Sequence, residues 1–295
     1  MIIPKYLCSF FFVAYVLSAS CAETNQVGEL SKILSSPGKL LQKAYLKDAE
    51  KGSAVWQFEL GLLYLSGENG ADQDYGKARQ WLTKSAEQDY SKAQFLLAAI
   101  YGDGLGTNKN PSEVVRWLQK AIEKKKAGKD YNLESNQLAI AYFSLGNCFE
   151  TGDGVKADLD KAFSFFLKAA DLGHPKAQVQ VGVFYATGWS VKEDKMEAIK
   201  WYEKAAKQGE FQGFYMLGEC YQEGKGVPQN LIDAYKWYSL ATTVGNVSAE
   251  SHLTKDTIMP LNALRIRDEL AKQMTPEQLA EGQKRTEKFW SDIKK

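Results

Sequence analysis

Side chains able to run acid–base or nucleophilic chemistry are scarce in this chain. There are two histidines, His174 directly before Pro175 and His252 in a stretch of decayed patterning. Neither has a companion base or a ligand at metal spacing, so both read as exposed structural residues. Of four cysteines, Cys8 and Cys21 fall in an apolar leader region, leaving Cys148 and Cys220. A cysteine nucleophile needs a partner base, and these two lie beside core positions of a helix, which favours buried, inert thiols. Gly102-Asp103-Gly104-Leu105-Gly106 and Gly152-Asp153-Gly154 have the glycine density of a phosphate loop. That motif must follow a strand, and none is indicated; both segments read as turns. Paired carboxylates and metal-spaced ligands do not appear, so no enzyme activity, cofactor or metal is expected.

The elements that hold these residues are written in a recurring phrase. Leu217-Gly218, Tyr221, Gly224 and Trp237 return, with a period of 36 residues, as Val181-Gly182, Tyr185, Gly188 and Trp201, and as Leu145-Gly146, Phe149, Gly152 and Phe165. Looser copies are Leu97-Ala98, Tyr101, Gly104, Trp117 and Leu60-Gly61, Tyr64, Gly67, Trp81. A fixed period of this length marks stacked supersecondary units. In each unit, steps of four place residues such as Ala177, Val181 and Tyr185 on one face of a first helix. The mid-helix Gly costs ~0.5–1 kcal/mol relative to Ala, so its return implies that another helix comes close there. A second helix opens in every unit at an Asx residue: Asp74, Asn110, Asp158, Asp194 and Asn230. Their side-chain oxygens accept first-turn N–H groups, worth ~1 kcal/mol each. Gly173, Gly209 and Gly245 close these helices.

No hairpin of this kind stands alone. Burying an aromatic of ~150–250 Å² at ~25 cal/mol per Å² gives a gross few kcal/mol, while ordering the backbone costs ~1 kcal/mol per residue. Stacking closes that deficit, and cap elements must cover the two ends. The equivalent cysteines lie two units apart, which puts them on the order of 20 Å from each other and outside disulfide reach.

Residues 1–22 differ in character, with Lys5 followed by an apolar run from Leu7 to Ala19 and a close of small residues. The run is shorter than the ~20 residues of a spanning helix and reads as a secretory signal cleaved after Ala22. Ala19-Ser20-Cys21 leaves a lipoprotein alternative, anchored at Cys21, although Ser18 stands where such signals place an apolar residue. The chain holds 37 basic and 36 acidic residues, so removing Lys5 leaves 36 of each and no net charge. Without a basic excess, a nucleic-acid partner is not expected. Residues 23–48 form a linker and capping helix, with the cap near Leu40 to Lys51. Residues 49–245 form the solenoid, with an insertion at about 124–136, and 246–295 form a degenerate repeat and C-terminal capping helices. Thr275-Pro276-Glu277-Gln278 is a capping box for a last helix reaching about Asp292.

The phrase resembles the Sel-one-like repeat family, relatives of tetratricopeptide repeats. The likeness is close in Gly226-Val227-Pro228 with Ala234-Tyr235-Lys236-Trp237-Tyr238, and in Ala198 through Gly209. It covers about Ala49 to Gly245. The resemblance implies an all-α, right-handed solenoid of about five helix-turn-helix repeats, with a concave face built mainly from first helices. It implies adaptor or scaffold work rather than catalysis. Three departures stand out: a longer first turn at Gly67-Glu68-Asn69-Gly70, twelve extra residues between Trp117 and Phe165, and Gly188-Trp189-Ser190 in place of two glycines.

Function should reside where the phrase varies. Positions two before, one after and five after the Gly share a helical face distinct from the core stripe. They are Glu59, Leu62, Ser66; Leu96, Ala99, Asp103; Ser144, Asn147, Thr151; Gln180, Val183, Thr187; Met216, Glu219, Glu223. The insertion is a second surface, with Lys124, Lys125, Lys126 and Lys129 forming a basic tip beside Tyr131. The reading is a non-enzymatic protein-binding scaffold in the periplasm of a Gram-negative bacterium, with no spanning segment in the mature chain. What the family implies of its exported members includes immunity proteins that neutralise a secreted toxic enzyme such as a phospholipase, and virulence factors that bind a host protein. A hydrolase of penicillin-type ligands is the enzymatic alternative, implied by relatives with paired cysteines in each repeat, which this chain lacks.

Overall fold

The computed structural model describes residues 37–123, 132–244 and 255–293. Its helices are α1 (Pro37–Glu50), α2 (Ala54–Ser66), α3 (Tyr75–Glu87), α4 (Ser91–Asp103), α5 (Pro111–Ile122), α6 (Ser135–Thr151) and α7 (Leu159–Asp171). They continue with α8 (Pro175–Thr187), α9 (Lys195–Lys207), α10 (Phe211–Glu223), α11 (Leu231–Val244), α12 (Lys255–Gln273) and α13 (Pro276–Ile293). A 3-10 turn, Glu68–Gly70, follows α2, and there is no strand among the described residues. The chain forms two compact units, Met1–Trp81 and Leu82–Lys295.

In the first unit α1 packs on α2, with the Tyr45 and Trp56 rings 5.0 Å apart. Gln42 Nε2 donates to the Asp72 carbonyl at 2.8 Å, and the Asp72 N–H donates back to Gln42 Oε1 at 3.1 Å. A helix thus stands where the sequence places an N-terminal cap.

The second unit is an α-solenoid in which consecutive helices pack in order from α4 to α12, with α13 also lying on α11. Its core is apolar and includes fully buried Leu97, Leu145, Phe166, Val181, Phe184, Tyr202, Leu217 and Tyr238.

Two backbone devices recur in every hairpin of the chain. First, each Asx residue caps its helix as expected. The N–H groups of Lys77, Glu113, Lys161, Glu197 and Asp233 donate to the side chains of Asp74, Asn110, Asp158, Asp194 and Asn230 at 2.9–3.3 Å. These bonds favour the charged form of the cap and hold the Asp74 and Asp158 carboxyls below their usual range. Second, the cap residue's own N–H donates to the carbonyl of the aromatic in the first helix. Asp74 reaches Tyr64, Asn110 Tyr101, Asp158 Phe149, Asp194 Tyr185 and Asn230 Tyr221, all at 2.8–3.0 Å. Sequence reading did not foresee this second bond, because periodicity says nothing about backbone partners.

The mid-helix glycines meet rings, although not the ones the phrase advertises. A Cβ at Gly146, Gly182 or Gly218 would lie 2.5, 2.4 or 2.9 Å from ring carbons of Phe166, Tyr202 or Tyr238. These follow the recurring Phe165, Trp201 and Trp237 by one position. Between hairpins, a buried glutamine bridges to the preceding helix. Gln57, Gln94 and Gln178 donate to the carbonyls of Ala49, Ala86 and Ala170 at 3.0, 2.9 and 3.3 Å.

The insertion is in part helical: α6 has 17 residues against 13 in α2, α4, α8 and α10, so about one extra turn precedes its common portion. At the C-terminal end the expected capping box is present, with Thr275 N–H donating to Gln278 Oε1 at 2.9 Å and Gln278 N–H to Thr275 Oγ1 at 3.3 Å. Phe289 stands edge-on to Trp237 at 5.2 Å and to Phe214 at 5.7 Å, covering the last repeat. Arg285 ties α13 to Asp233 at 2.9 Å.

Candidate protein-interaction face

Two neighbouring positions of the first helices behave in opposite ways. The residue before the Gly position, Leu60, Leu97, Leu145, Val181 or Leu217, is 0% exposed in all five repeats. None of the fifteen variable-face residues is buried, and the last of each trio, Ser66, Asp103, Thr151, Thr187 and Glu223, is exposed every time. The face proposed from spacing therefore exists as a half-exposed stripe beside a sealed one. Val183 and Met216 also pack against the core, so part of each is structural. Thr151 and Thr187 turn their hydroxyls onto their own helix, donating to the Asn147 and Val183 carbonyls at 2.9 Å.

The structure gathers three face residues into a cleft. Thr187, Met216 and Glu219 line a cavity of about 420 Å³ together with Ala186, Glu193, Lys195, Ala198, Tyr202, Cys220 and Lys225. Helices α8 and α10 supply the walls, and α9, the turn before it and the turn after α10 supply the rest. Glu59, Leu62, Leu96, Ser144, Asn147, Gln180, Val183 and Glu223 do not line it. Glu193, Lys195, Tyr202 and Lys225 were missed by sequence reading, since they come from turns and a second helix. Lys225 within Glu223-Gly224-Lys225-Gly226 carried the one legible signal, a charge where the turn needs none.

Electrostatics inside the cleft are uneven. Lys195 pairs with Glu193 at 3.0 Å and Lys225 with Glu223 at 2.7 Å. Half-buried Glu219 feels these charges only at a distance; burial, opposed by Lys225 and reinforced by Glu223, raises its carboxyl. The fully buried Tyr202 hydroxyl has no hydrogen-bond partner among the described residues, whereas the equivalent Tyr238 hydroxyl donates to Gln222 Oε1 at 2.9 Å. Burial, with Glu219, pushes the Cys220 thiol up to about 11. It also raises Cys148, helped by Asp153. Both thiols are free and stay protonated at neutral pH, but Cys148 is only half-buried, not buried as expected.

His174 departs from the expected exposed position. It is half-buried, its ring stacked on Phe143 at 4.5 Å, and its Nδ1 accepts the Ala177 N–H at 3.2 Å to cap α8. Burial, and then Lys176, depress its pKa, which keeps the ring neutral and able to accept. Among the described residues no group of His, Cys, Asp or Glu is arranged to hold a metal, and no helix is long and apolar enough to cross a membrane. Lys124, Lys125, Lys126, Lys129 and Tyr131 of the basic tip lie outside the described residues, as do the leader, Cys21, Gly245 and His252.

The geometry agrees with what the chain is similar to. A model of the Sel1 repeat matches residues 57–90, 91–126, 139–174, 175–210 and 215–246, and its largest internal gap falls on the insertion. A protective antigen present in uropathogenic Escherichia coli strains, displaying an SLR fold, aligns with TM-score 0.64 and 29% identity over 84% of this chain and 48% of that one. A Sel1 repeat protein from Oxalobacter formigenes aligns with TM-score 0.57 and 27% identity over 78% of this chain and 95% of that one. Chitin synthase regulatory factor 3 of Schizosaccharomyces pombe is 32% identical over 161 residues, which are 51% of this chain and 16% of that protein. The chain spans 16% and 17% of the two fungal chitin synthase regulators it matches.

Proposed function

This chain belongs to the Sel1 repeat family, and from that premise we propose that it is a protein-binding scaffold of a bacterial envelope, working through the variable face of its first helices. Sel1 repeats mediate protein–protein interaction, and the family is generally a non-enzymatic scaffold fold. The observation that carries the assignment is the contrast between five sealed positions and fifteen unsealed ones on the same helices. A packing-only solenoid has no need to hold one stripe half-open while its residue types vary from repeat to repeat. Export is supported by the leader-like residues 1–22.

The test is capture of partners from an envelope extract by the wild-type chain and by a Gln180→Lys, Met216→Lys, Glu219→Lys variant. Loss of the captured protein with an unchanged helical circular-dichroism signal is expected. Equal capture by both chains would remove the face from consideration.

A further inference from the structure

Resting on the reading of this face as a partner-binding surface, we propose that the cleft between α8, α9 and α10 receives an arginine side chain of the bound protein. The argument starts one repeat earlier. The positions that line this cleft have equivalents 36 residues upstream: Tyr202 matches Phe166, Glu219 matches Val183, Cys220 matches Phe184 and Lys225 matches Trp189. At that earlier seam the space is filled with rings. Phe166 and Phe184 lie 6.0 Å apart, and Trp189 stands edge-on to Phe184 at 6.3 Å. Replacing Phe by Cys and Trp by Lys in the next seam withdraws that filling and leaves a cavity of about 420 Å³. Replacing Val by Glu then puts a carboxylate beside it.

The charges choose the sign of the occupant. Three carboxylates, Glu193, Glu219 and Glu223, face two ammonium groups, Lys195 and Lys225, and each ammonium is held by one of the outer carboxylates. The charge left over belongs to Glu219, which is half-buried with no hydrogen bond to it among the described residues. A carboxylate taken out of water without donors is unfavourable. An incoming cation with several donors satisfies the accessible Glu219 carboxylate; an anion or a purely apolar side chain does not. The guanidinium is the better fit than an ammonium. Its planar fork presents two parallel donors to one carboxylate, and its weakly hydrated face can lie on apolar Met216, Ala186 and Ala198.

The experiment needs no knowledge of the partner. The full chain, labelled at methionine methyl groups, is titrated with Nα-acetylarginine amide, its uncharged citrulline isostere and Nα-acetyllysine amide. The Met216 signal is identified by its disappearance in Met216→Leu. A saturable shift with the arginine probe is expected, weaker by about tenfold or more with citrulline and in Glu219→Gln. Tyr202→Phe should leave it unchanged, because the Tyr202 hydroxyl is sealed from the cleft. Cys220→Phe, which restores the upstream filling, should abolish the shift while the helical signal persists. Equal responses to arginine and citrulline, a lysine probe that binds as well as arginine, or full binding by Glu219→Gln would each overturn the inference. Partner capture that survives Glu219→Gln but not the triple lysine variant would sink this proposal alone. Arginine binding without any captured protein would instead sink the wider scaffold reading.

Discussion

The seam between the third and fourth repeats and the seam between the fourth and fifth share one backbone plan and differ in what fills it. Both glycines, Gly146 and Gly182, receive a ring at a distance that admits no Cβ. Both following helices are capped by an aspartate, Asp158 and Asp194, and both turns close on the carbonyl of an aromatic. Yet the first seam packs Phe166 on Phe184 with half-exposed Trp189 edge-on to it, whereas the second holds Tyr202, Cys220 and Lys225 around a cleft. The solenoid's geometry is therefore secured by backbone bonds and Gly–ring contacts, which leaves the remaining seam positions free to be either filler or surface.

That difference can be broken in four ways, and the largest effect should come from emptying the filled seam. Phe184 is 0% exposed, and Phe184→Cys, the residue found one repeat on, should cost about 3–4 kcal/mol in urea unfolding through the cavity it leaves. A loss under ~1 kcal/mol would show that the rings there are not interlocked. Next comes Gly226→Ser in the last turn. Its φ is 78°, in the left-handed region, and a Cβ there would sit 2.7 Å from that of Lys195. About 2 kcal/mol of destabilisation should follow from strain and overlap together.

The third test separates two tyrosines by sign. Tyr238→Phe removes a hydrogen bond to Gln222 and should cost about 1 kcal/mol, while Tyr202→Phe removes a buried orphan hydroxyl and should be neutral or stabilising. Equal losses in thermal melts would mean that the Tyr202 hydroxyl has a partner after all. The smallest effect reverses the Gly226 change in the preceding turn. Ser190 adopts φ 60°, where its repeat partners use glycine, so Ser190→Gly should add about 0.5 kcal/mol. A drop in melting temperature would reveal a contact of the Ser190 side chain that outweighs the strain.

Much of this architecture was legible because repetition removes ambiguity. Five Asx residues at one register position identify a cap more firmly than any one of them, and all five accept the expected N–H. The glycines signalled a close approach, but the residues alone could not say which of two adjacent rings made it. Trp201 and Tyr202 are both aromatic, and a one-residue step turns a side chain by about 100° around the helix, so only packing decides. His174 looked exposed because it sits in a turn; the ring of Phe143, one repeat back, covers it. The variable stripe was readable as a face, and its cleft was not. Glu193, Lys195 and Lys225 meet Glu219 only because neighbouring hairpins stack, and no period in the sequence reports which departures from the phrase become neighbours.

The bond from each cap N–H to its aromatic carbonyl has a consequence for how such a chain can change length over time. A hairpin closed by that bond tolerates little change between its helices, the first turn keeping it with one extra residue, whereas the joints before α2, α4 and α8 are bridged through a glutamine side chain. Lengthening a connection there costs little, about 0.6 kcal/mol per doubling of a flexible segment. The twelve added residues of this protein lie at such a joint, between α5 and the common portion of α6. Joints are thus where a descendant can graft a new recognition element, while whole hairpins are the units it can duplicate or delete.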